Sequence, residues 1–238
     1  MKRWNRLEIV CFAAFLFWSM AGLIFTVFQI TPDAVARWSI PPWLDRFVDF
    51  CLATGDPILI VLAFANTHLH AARQWTPATA RRWGIAILAC AFGVETVGVL
   101  MGFPFGHYVY TTRFGPLLGA VPLTIPLAWQ VVVTNALFIV RGRAPYLSRW
   151  TEAVLAGLLC TGYDFVLEPF ATGVKYYWIW TGGGIPLTNY AAWWVIAAAL
   201  VWVFAPTAAT RFRNDPRPWA VLGFTVLIFL AGRAFTAG

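Results

Sequence analysis

The chain has 238 residues, 60% of them hydrophobic and only 11% charged, with a mean hydropathy of +0.70 and a net charge of +7. Water-soluble domains of this length do not carry that balance, and apolar runs of about twenty residues recur along it, so the sequence reads as an integral membrane protein. The basic residues form short clusters between apolar runs, the positive-inside pattern, which argues against nucleic acid as the partner of the charge.

Seven apolar segments can be drawn, at 7–29, 46–70, 83–101, 118–140, 150–168, 189–207 and 218–236. Each can cross about 30 Å of hydrocarbon as a helix. Lys2, Arg3 and Arg6 before an apolar run look like the start of a signal peptide. The run that follows is too long for one and lacks a clear cleavage site, so it reads as the first span. Lys2, Arg3, Arg6, Arg73, Arg81, Arg82, Arg141, Arg143, Arg149, Arg211, Arg213 and Arg217 then fall on one side of the membrane. Arg37, Arg46, Arg113, Lys175 and Arg233 fall on the other, which places the N-terminus in the cytoplasm. The expected fold is all-α: a polytopic membrane helical bundle of about seven transmembrane helices, forming one membrane domain over 1–238.

Connectors on the basic side, such as Arg141-Gly142-Arg143-Ala144-Pro145, are ordinary and polar. The outer loops at 102–117 and 169–188 are rich in Gly, Pro and aromatic residues, and are expected to fold back onto the bundle. Interfacial aromatic belts account for part of that composition. A repeat surrounds these loops. Pro122-Leu123-Thr124 with Ala128-Trp129 matches Pro186-Leu187-Thr188 with Ala192-Trp193. Each copy follows an aromatic stretch (Tyr108 to Tyr110; Tyr176 to Trp180) and, earlier, an acid on the incoming helix (Glu95; Asp164 and Glu168). Two repeat-like hairpins in the same orientation are therefore expected at about 83–140 and 150–207, and a site at their interface.

An ionised carboxylate costs at least about 2.5 kcal/mol at the centre of a span, so acids there are candidate functional groups. Glu95 and Asp164 lie roughly 18–21 Å from the cytoplasmic edge at about 1.5 Å per residue, in the outer half of the membrane. Asp56 lies at a comparable depth, and Asp164 and Glu168 share a helix face by their spacing. Asp164 and Glu95 lead as catalytic candidates, with Gly93, Gly98 and Gly102 giving close helix approach around Glu95. Pro169 places Glu168 at a helix end, where it can face interfacial water. Asp56, before Pro57, reads either as a functional acid or as an N-cap of a broken helix starting at 57. No Lys or Arg inside the spans neutralises these acids, and the cytoplasmic half shows no acid.

Among the other polar residues, His107 beside Tyr108 is a candidate proton shuttle or a structural loop residue. His68 and His70 lie at the cytoplasmic end and carry no expected chemistry. Thr188 and Asn189 are candidate caps of the sixth span, whose N-terminal dipole would point toward the acids. Cys11, Cys51, Cys90 and Cys160 show no paired spacing and read as small buried hydrophobes, with neither a disulfide framework nor a metal site.

A carboxyl in an apolar pocket keeps its proton and acts as a general acid, a second orients water, and aromatic rings stabilise a cation between them. That set suits proton addition to an isolated carbon–carbon double bond of a lipid-soluble substrate, with no cofactor.

The segments Gly102-Phe103-Pro104-Phe105-Gly106-His107-Tyr108-Val109-Tyr110 and Leu118 to Trp129 resemble the membrane carotenoid-biosynthesis proteins of the CruF type. So do Asp164-Phe165-Val166-Leu167-Glu168-Pro169 and Gly184 to Tyr190 with Trp193, so that the likeness covers roughly 90–195. Where that family often carries a second Asp, this chain has Glu168. The resemblance implies a carotenoid 1,2-hydratase, a hydro-lyase adding water to the terminal double bond of an acyclic carotenoid end such as lycopene, γ-carotene or a C50 precursor. It implies a carotenoid substrate, a bacterial or archaeal cytoplasmic membrane and association with other enzymes of that synthesis as partners, with no nucleic acid. Combined with the residues above, Asp164 is the expected acid, with Glu95 or Asp56 as water partner. His107, Tyr108, Tyr110, Trp129, Trp178, Trp180, Asn189 and Trp193 are the expected substrate-binding residues.

Two rival classes remain. A carotenoid cyclase or isomerase shares the protonation and ends by losing a proton. A proton-coupled carrier of lipid or pigment needs a continuous polar path to both sides, which acids clustered in the outer half do not supply. A retinal photoreceptor needs a lysine in a late span, and Lys2 and Lys175 are the only lysines.

Overall fold

The computed structural model describes residues 5–38, 40–144, 146–207 and 215–236. Lys2, Arg3, Pro145, Arg211 and Arg213, used above for charge placement and connectors, lie outside the described residues. The protein is nearly all-α. The long helices are α1 (Arg6–Val27), α3 (Pro42–Gln74), α4 (Pro77–Met101), α5 (Thr124–Arg143), α6 (Arg149–Gly173), α7 (Leu187–Phe204) and α8 (Arg217–Thr236), with a single turn, α2 (Pro32–Val35), after the first. All seven long helices are long and apolar enough to cross a membrane, and together they describe a multi-pass membrane protein.

Local chemistry starts and stops these helices as expected. Asn5 and Glu8 form a reciprocal capping box on α1, and Thr76 and Ser148 cap α4 and α6. Gly102 closes α4 in the left-handed conformation at φ 72°, where a Cβ would strike the His107 ring at 2.5 Å. Two prolines sit inside helices rather than at their ends. Pro57 lies within α3, so Asp56 is not an N-cap and no helix starts at 57. Pro169 lies within α6, which continues to Gly173, so Glu168 is an interior, buried residue and not a helix end facing water. Spanning helices tolerate such prolines because neighbours take up the freed carbonyls.

The most buried span is α5, packed against α3, α4, α6, α7 and α8. The most extensively packed helix pair is α6 with α7, where Gly157 leaves room for Trp194: a Cβ there would come 2.7 Å from the indole and 2.8 Å from the backbone carbonyl. The end carrying Arg73, Arg141 and Arg217 is tied by buried ion pairs. Arg141 binds Glu152 at 2.9 Å and also reaches the Pro206 carbonyl, so Arg141–Arg143 is the last turn of α5 and not a plain connector. Arg217 meets Asp215 at 2.9 Å and Glu8 at 3.5 Å, and Arg73 meets Glu8 at 3.3 Å. Buried acids therefore do occur in that half, each paired with arginine. Burial would raise the Asp215 carboxyl, but its hydrogen bonds to Arg217 prevail and hold it below the usual carboxylate value.

At the opposite end the outer loops fold onto the bundle as two short ribbons. Strand β1 (Tyr108–Tyr110) pairs antiparallel with β4 (Trp178–Trp180), placing Tyr108 opposite Trp180 and Tyr110 opposite Trp178. Strands β2 (Leu117–Leu118) and β3 (Val121–Pro122) make a small hairpin leading into α5. Side chains alternate across the β1–β4 ribbon, so Tyr108, Tyr110, Trp178 and Trp180 face the helices while Val109 and Ile179 are exposed.

Candidate active site

Beneath the β1–β4 ribbon, side chains from α3 to α8 enclose a cavity of about 70 Å³. That is several times the roughly 10–15 Å³ one water molecule requires. The lining is mostly apolar and aromatic, with carboxylates at Asp56, Glu95, Asp164 and Glu168. Tyr108, Tyr110, Trp129, Trp178, Trp180, Asn189 and Trp193 line it as well. His107 does not, because alternation along β1 puts its side chain on the face opposite Tyr108. His107 is exposed, and its carbonyl accepts from the Thr181 amide at 3.0 Å.

Two carboxylates face each other across matching cages. Glu95 Oε2 accepts from the Tyr108 hydroxyl at 2.6 Å and the Tyr110 hydroxyl at 2.7 Å, while Oε1 accepts from the Trp129 indole at 2.7 Å. Glu168 Oε2 accepts from the Trp178 indole at 3.1 Å and the Trp180 indole at 2.9 Å, while Oε1 accepts from the Asn189 amide at 3.1 Å. In both, two donors come from one strand of the ribbon and one from the next helix. Trp129 and Trp193, the matching residues of the sequence repeat, stack with ring centroids 3.8 Å apart and 5° between planes. An indole N–H only donates, so these cages are built to hold carboxylates as acceptors. Burial first, and then the charge of Glu95, push the Tyr108 and Tyr110 hydroxyls well above their usual value, so both stay protonated donors.

Asp164 differs. It is 1% exposed, its Oδ2 accepts from the Asn189 amide at 2.7 Å, and its Oδ1 is buried with no hydrogen-bond partner among the described residues. Asn189 thus bridges Asp164 and Glu168, and it is not a helix cap. Thr188 does not cap either; its hydroxyl donates to the Phe105 carbonyl at 3.0 Å.

Asp56 sits at the rim and is neutralised. Lys175, just past α6, reaches it at 2.8 Å, both partners being partly exposed, so a basic residue is available where none was expected. Burial first, and then the Asp56 carboxylate, hold the Tyr177 hydroxyl well above its ordinary value. The glycines expected to admit a neighbouring helix act otherwise: a Cβ at Gly98 would come 2.7 Å from the Tyr108 hydroxyl and 2.8 Å from the Phe105 ring, so Gly98 makes room for the folded loop. Gly93 has no atom within 4 Å of a would-be Cβ.

Several lining residues escaped the sequence reading. Tyr163 precedes Asp164 and donates to Thr225 of α8 at 3.0 Å, and Phe170 and Phe229 close the wall at 5.1 Å between centroids. The two aromatic residues on α6 adjoin the acids in sequence and were findable; Thr225 and Phe229 sit in a span without a motif. All four cysteines are free, and only Cys160 is fully buried. Among the described residues no group of three or more His, Cys, Asp or Glu is arranged to hold a metal ion.

Comparison with known proteins agrees with this architecture. The family model described as "Carotenoid biosynthesis protein" matches residues 55–237, which includes every residue of the cavity. The chain is 33% identical over 139 residues to a bisanhydrobacterioruberin hydratase of Haloarcula japonica, a match covering 54% of this chain and 46% of that protein. The match thus spans about half the length of this curated relative. No solved structure matches. With a family model covering most of the chain and the whole cavity, this protein belongs to the carotenoid biosynthesis protein family.

Proposed function

We propose that the protein is a carotenoid hydratase, adding water across the terminal C1=C2 double bond of an acyclic carotenoid end by acid catalysis. The observation that carries this reading is Asp164: a buried carboxyl on the cavity wall with one oxygen bonded to Asn189 and the other free for substrate. Its proton passes to C2 as the double-bond electrons form the new C–H bond, leaving a tertiary cation at C1. Water forms the C1–O bond, and its surplus proton returns to a carboxylate, so one water is consumed and no electrons are transferred. Glu95 and Glu168, held as acceptors by their donor cages, stabilise the cation by charge. The Trp129–Trp193 stack and the ribbon aromatics supply π faces to it.

The likeness to a bisanhydrobacterioruberin hydratase supports the hydratase reading. The cavity holds only an end group, so the rest of the polyene lies in the hydrocarbon outside it. Basic residues at the end away from the cavity support a cytoplasmic N-terminus with the site in the outer half, and the family likeness supports a bacterial or archaeal membrane. Asp56, tied to Lys175 at the rim, positions the loop after α6 rather than the attacking water. Working with the other enzymes of the pigment's synthesis follows from a membrane-bound substrate of this kind.

The test is expression in hosts accumulating lycopene, γ-carotene or an acyclic C50 carotenoid, with mass analysis of the extracted pigment. A product heavier by one water, lost with Asp164→Asn, supports the reading. An isomer of unchanged mass moves it to a cyclase or isomerase, and unchanged pigment in all three hosts refutes hydration.

A further inference from the structure

Beside the cavity and on toward the arginine-rich end, the seam of α3, α4 and α5 holds an unusual set of side chains. Asn66, Gln130 and Asn135 are each no more than 1% exposed. Both amide atoms of Asn66, both of Gln130 and Oδ1 of Asn135 have no hydrogen-bond partner among the described residues. Burying an amide without a partner costs roughly 1–3 kcal/mol by mutational measure. Ala63, Ile87, Ala91, Ala136 and Leu137 of the same three helices are fully buried and apolar, and an aliphatic side chain at any of the three positions would carry no such penalty.

Asn66 and Asn135 lie beyond the cavity toward the arginine-rich end, and Gln130 lies at the cavity's depth, between the lining residues Trp129 and Val132 of α5. On α3 the buried face runs Leu59, Ala63, Asn66, Thr67 and His70. Ile60 lines the cavity, Asn66 follows about 9 Å further along the helix and His70 about 6 Å beyond that, at about 1.5 Å per residue. On α5, Val132 lines the cavity and Asn135 lies less than one turn beyond. The Asn135 amide donates to Thr67 at 2.8 Å, joining the two helices, and Trp83 of α4 donates to Thr134 at 2.9 Å. Gly84 of α4 gives the Gln130 amide its room: a Cβ there would lie 3.2 Å from Nε2. At the far end His70, with Nδ1 unpartnered, meets Asp215 at 3.9 Å. On the other side, the cavity is roofed by buried Phe105, Tyr108, Tyr177 and Trp178.

We propose that this seam is a hydrated track, binding ordered water at Asn66, Gln130 and Asn135 and supplying the cavity with water from the arginine-rich, cytoplasmic end. Buried water typically makes about three hydrogen bonds to otherwise unsatisfied polar groups, and five such atoms lie along this route. The proposal rests on the hydratase reading for its purpose, since each turnover consumes one water. Its physical content, bound water in the seam, does not depend on that reading. These amides are positioning residues; none touches the reacting carbon.

Water-edited solid-state NMR of the full chain in lipid bilayers, with Asn and Gln labelled with nitrogen-15, reads the track directly. Rapid polarisation transfer from water to the side-chain amides of Asn66, Gln130 and Asn135 is expected, each assigned by its loss in Asn66→Leu, Gln130→Leu or Asn135→Leu. Transfer no faster than to lipid-buried amides overturns the proposal whatever the enzyme makes. The functional arm uses heavy water. A cation that finds no water loses a proton and returns as substrate carrying deuterium, so Asn66→Leu and Gln130→Leu should lower kcat about tenfold with KM unchanged. They should also raise deuterated substrate relative to hydrated product. An unchanged ratio in both variants, with water entering instead past Asp56 and Lys175, overturns the supply role. A wild-type protein that hydrates no carotenoid fails the proposed function, and the NMR arm still decides whether the seam holds water.

Discussion

Glu168→Gln is the sharpest perturbation of the site, because it keeps the shape of the side chain and changes only charge and one hydrogen-bonding atom. In the native cage Oε2 takes the Trp178 and Trp180 indoles and Oε1 takes the Asn189 amide. All three neighbours donate, so the new NH2 group must face a donor in either orientation. Turning the Asn189 amide around would relieve this at Oε1, but it would withdraw the nitrogen from Asp164 Oδ2, 2.7 Å away. One buried group is left unsatisfied whichever arrangement wins, which costs about 1–3 kcal/mol of stability. The larger effect is on the cation of the proposed reaction. Losing a carboxylate charge, taken at roughly 4–6 Å from that positive centre, is worth about 3–4 kcal/mol at an effective dielectric of about 20. That corresponds to a roughly 100- to 1000-fold fall in kcat. The assay is carotenoid hydration in membranes from the pigment-producing host, with detergent-solubilised thermal unfolding followed by size-exclusion fluorescence. Unchanged kcat together with unchanged stability would refute the cage as a holder of negative charge.

Other perturbations test separate parts of the structure. Trp129→Phe removes the indole donor to Glu95 and trims the stack on Trp193; a loss of about 1–3 kcal/mol, read as up to a hundredfold lower kcat, is expected from hydration kinetics. Gly157→Ala drives a methyl into Trp194 and its backbone carbonyl, and should lower stability by about 1–3 kcal/mol in the same thermal assay. Arg141→Met strands Glu152 as a buried unpaired charge and should cost about 3–5 kcal/mol, much of it recovered by adding Glu152→Gln. Lys175→Met breaks a partly exposed pair and should change stability by less than about 1 kcal/mol, with hydration within a few-fold of wild type. A large loss of kcat there would return Asp56 to the chemistry.

The number and order of spans were legible in the sequence, because twenty apolar residues in a row satisfy their backbone internally and face lipid without knowing their neighbours. That Asp164, Glu95 and the aromatic outer loops come together was legible for a related reason: acids and clustered aromatics are rare enough inside spans to announce themselves, and they line one cavity. What those groups bind was not. The Trp178 and Trp180 indoles reach Glu168 because β4 pairs with β1, a strand from the other hairpin, and that register is a long-range property. Local rules also left three residues misplaced or undecided. Proline grammar put Glu168 at a helix end and offered a cap as one of two readings of Asp56, but packing in the bundle carried both helices through their prolines. His107 was open between a shuttle and a structural loop residue, and the structure turns its side chain outward. Charge pairing across the fold was equally invisible, since Lys175 and Asp56 meet only when the loop after α6 is brought against α3. Composition and periodicity, being local, determined which segments enter the membrane. The tertiary structure decided which oxygen of which acid is left free, because that depends on donors brought in from distant parts of the chain.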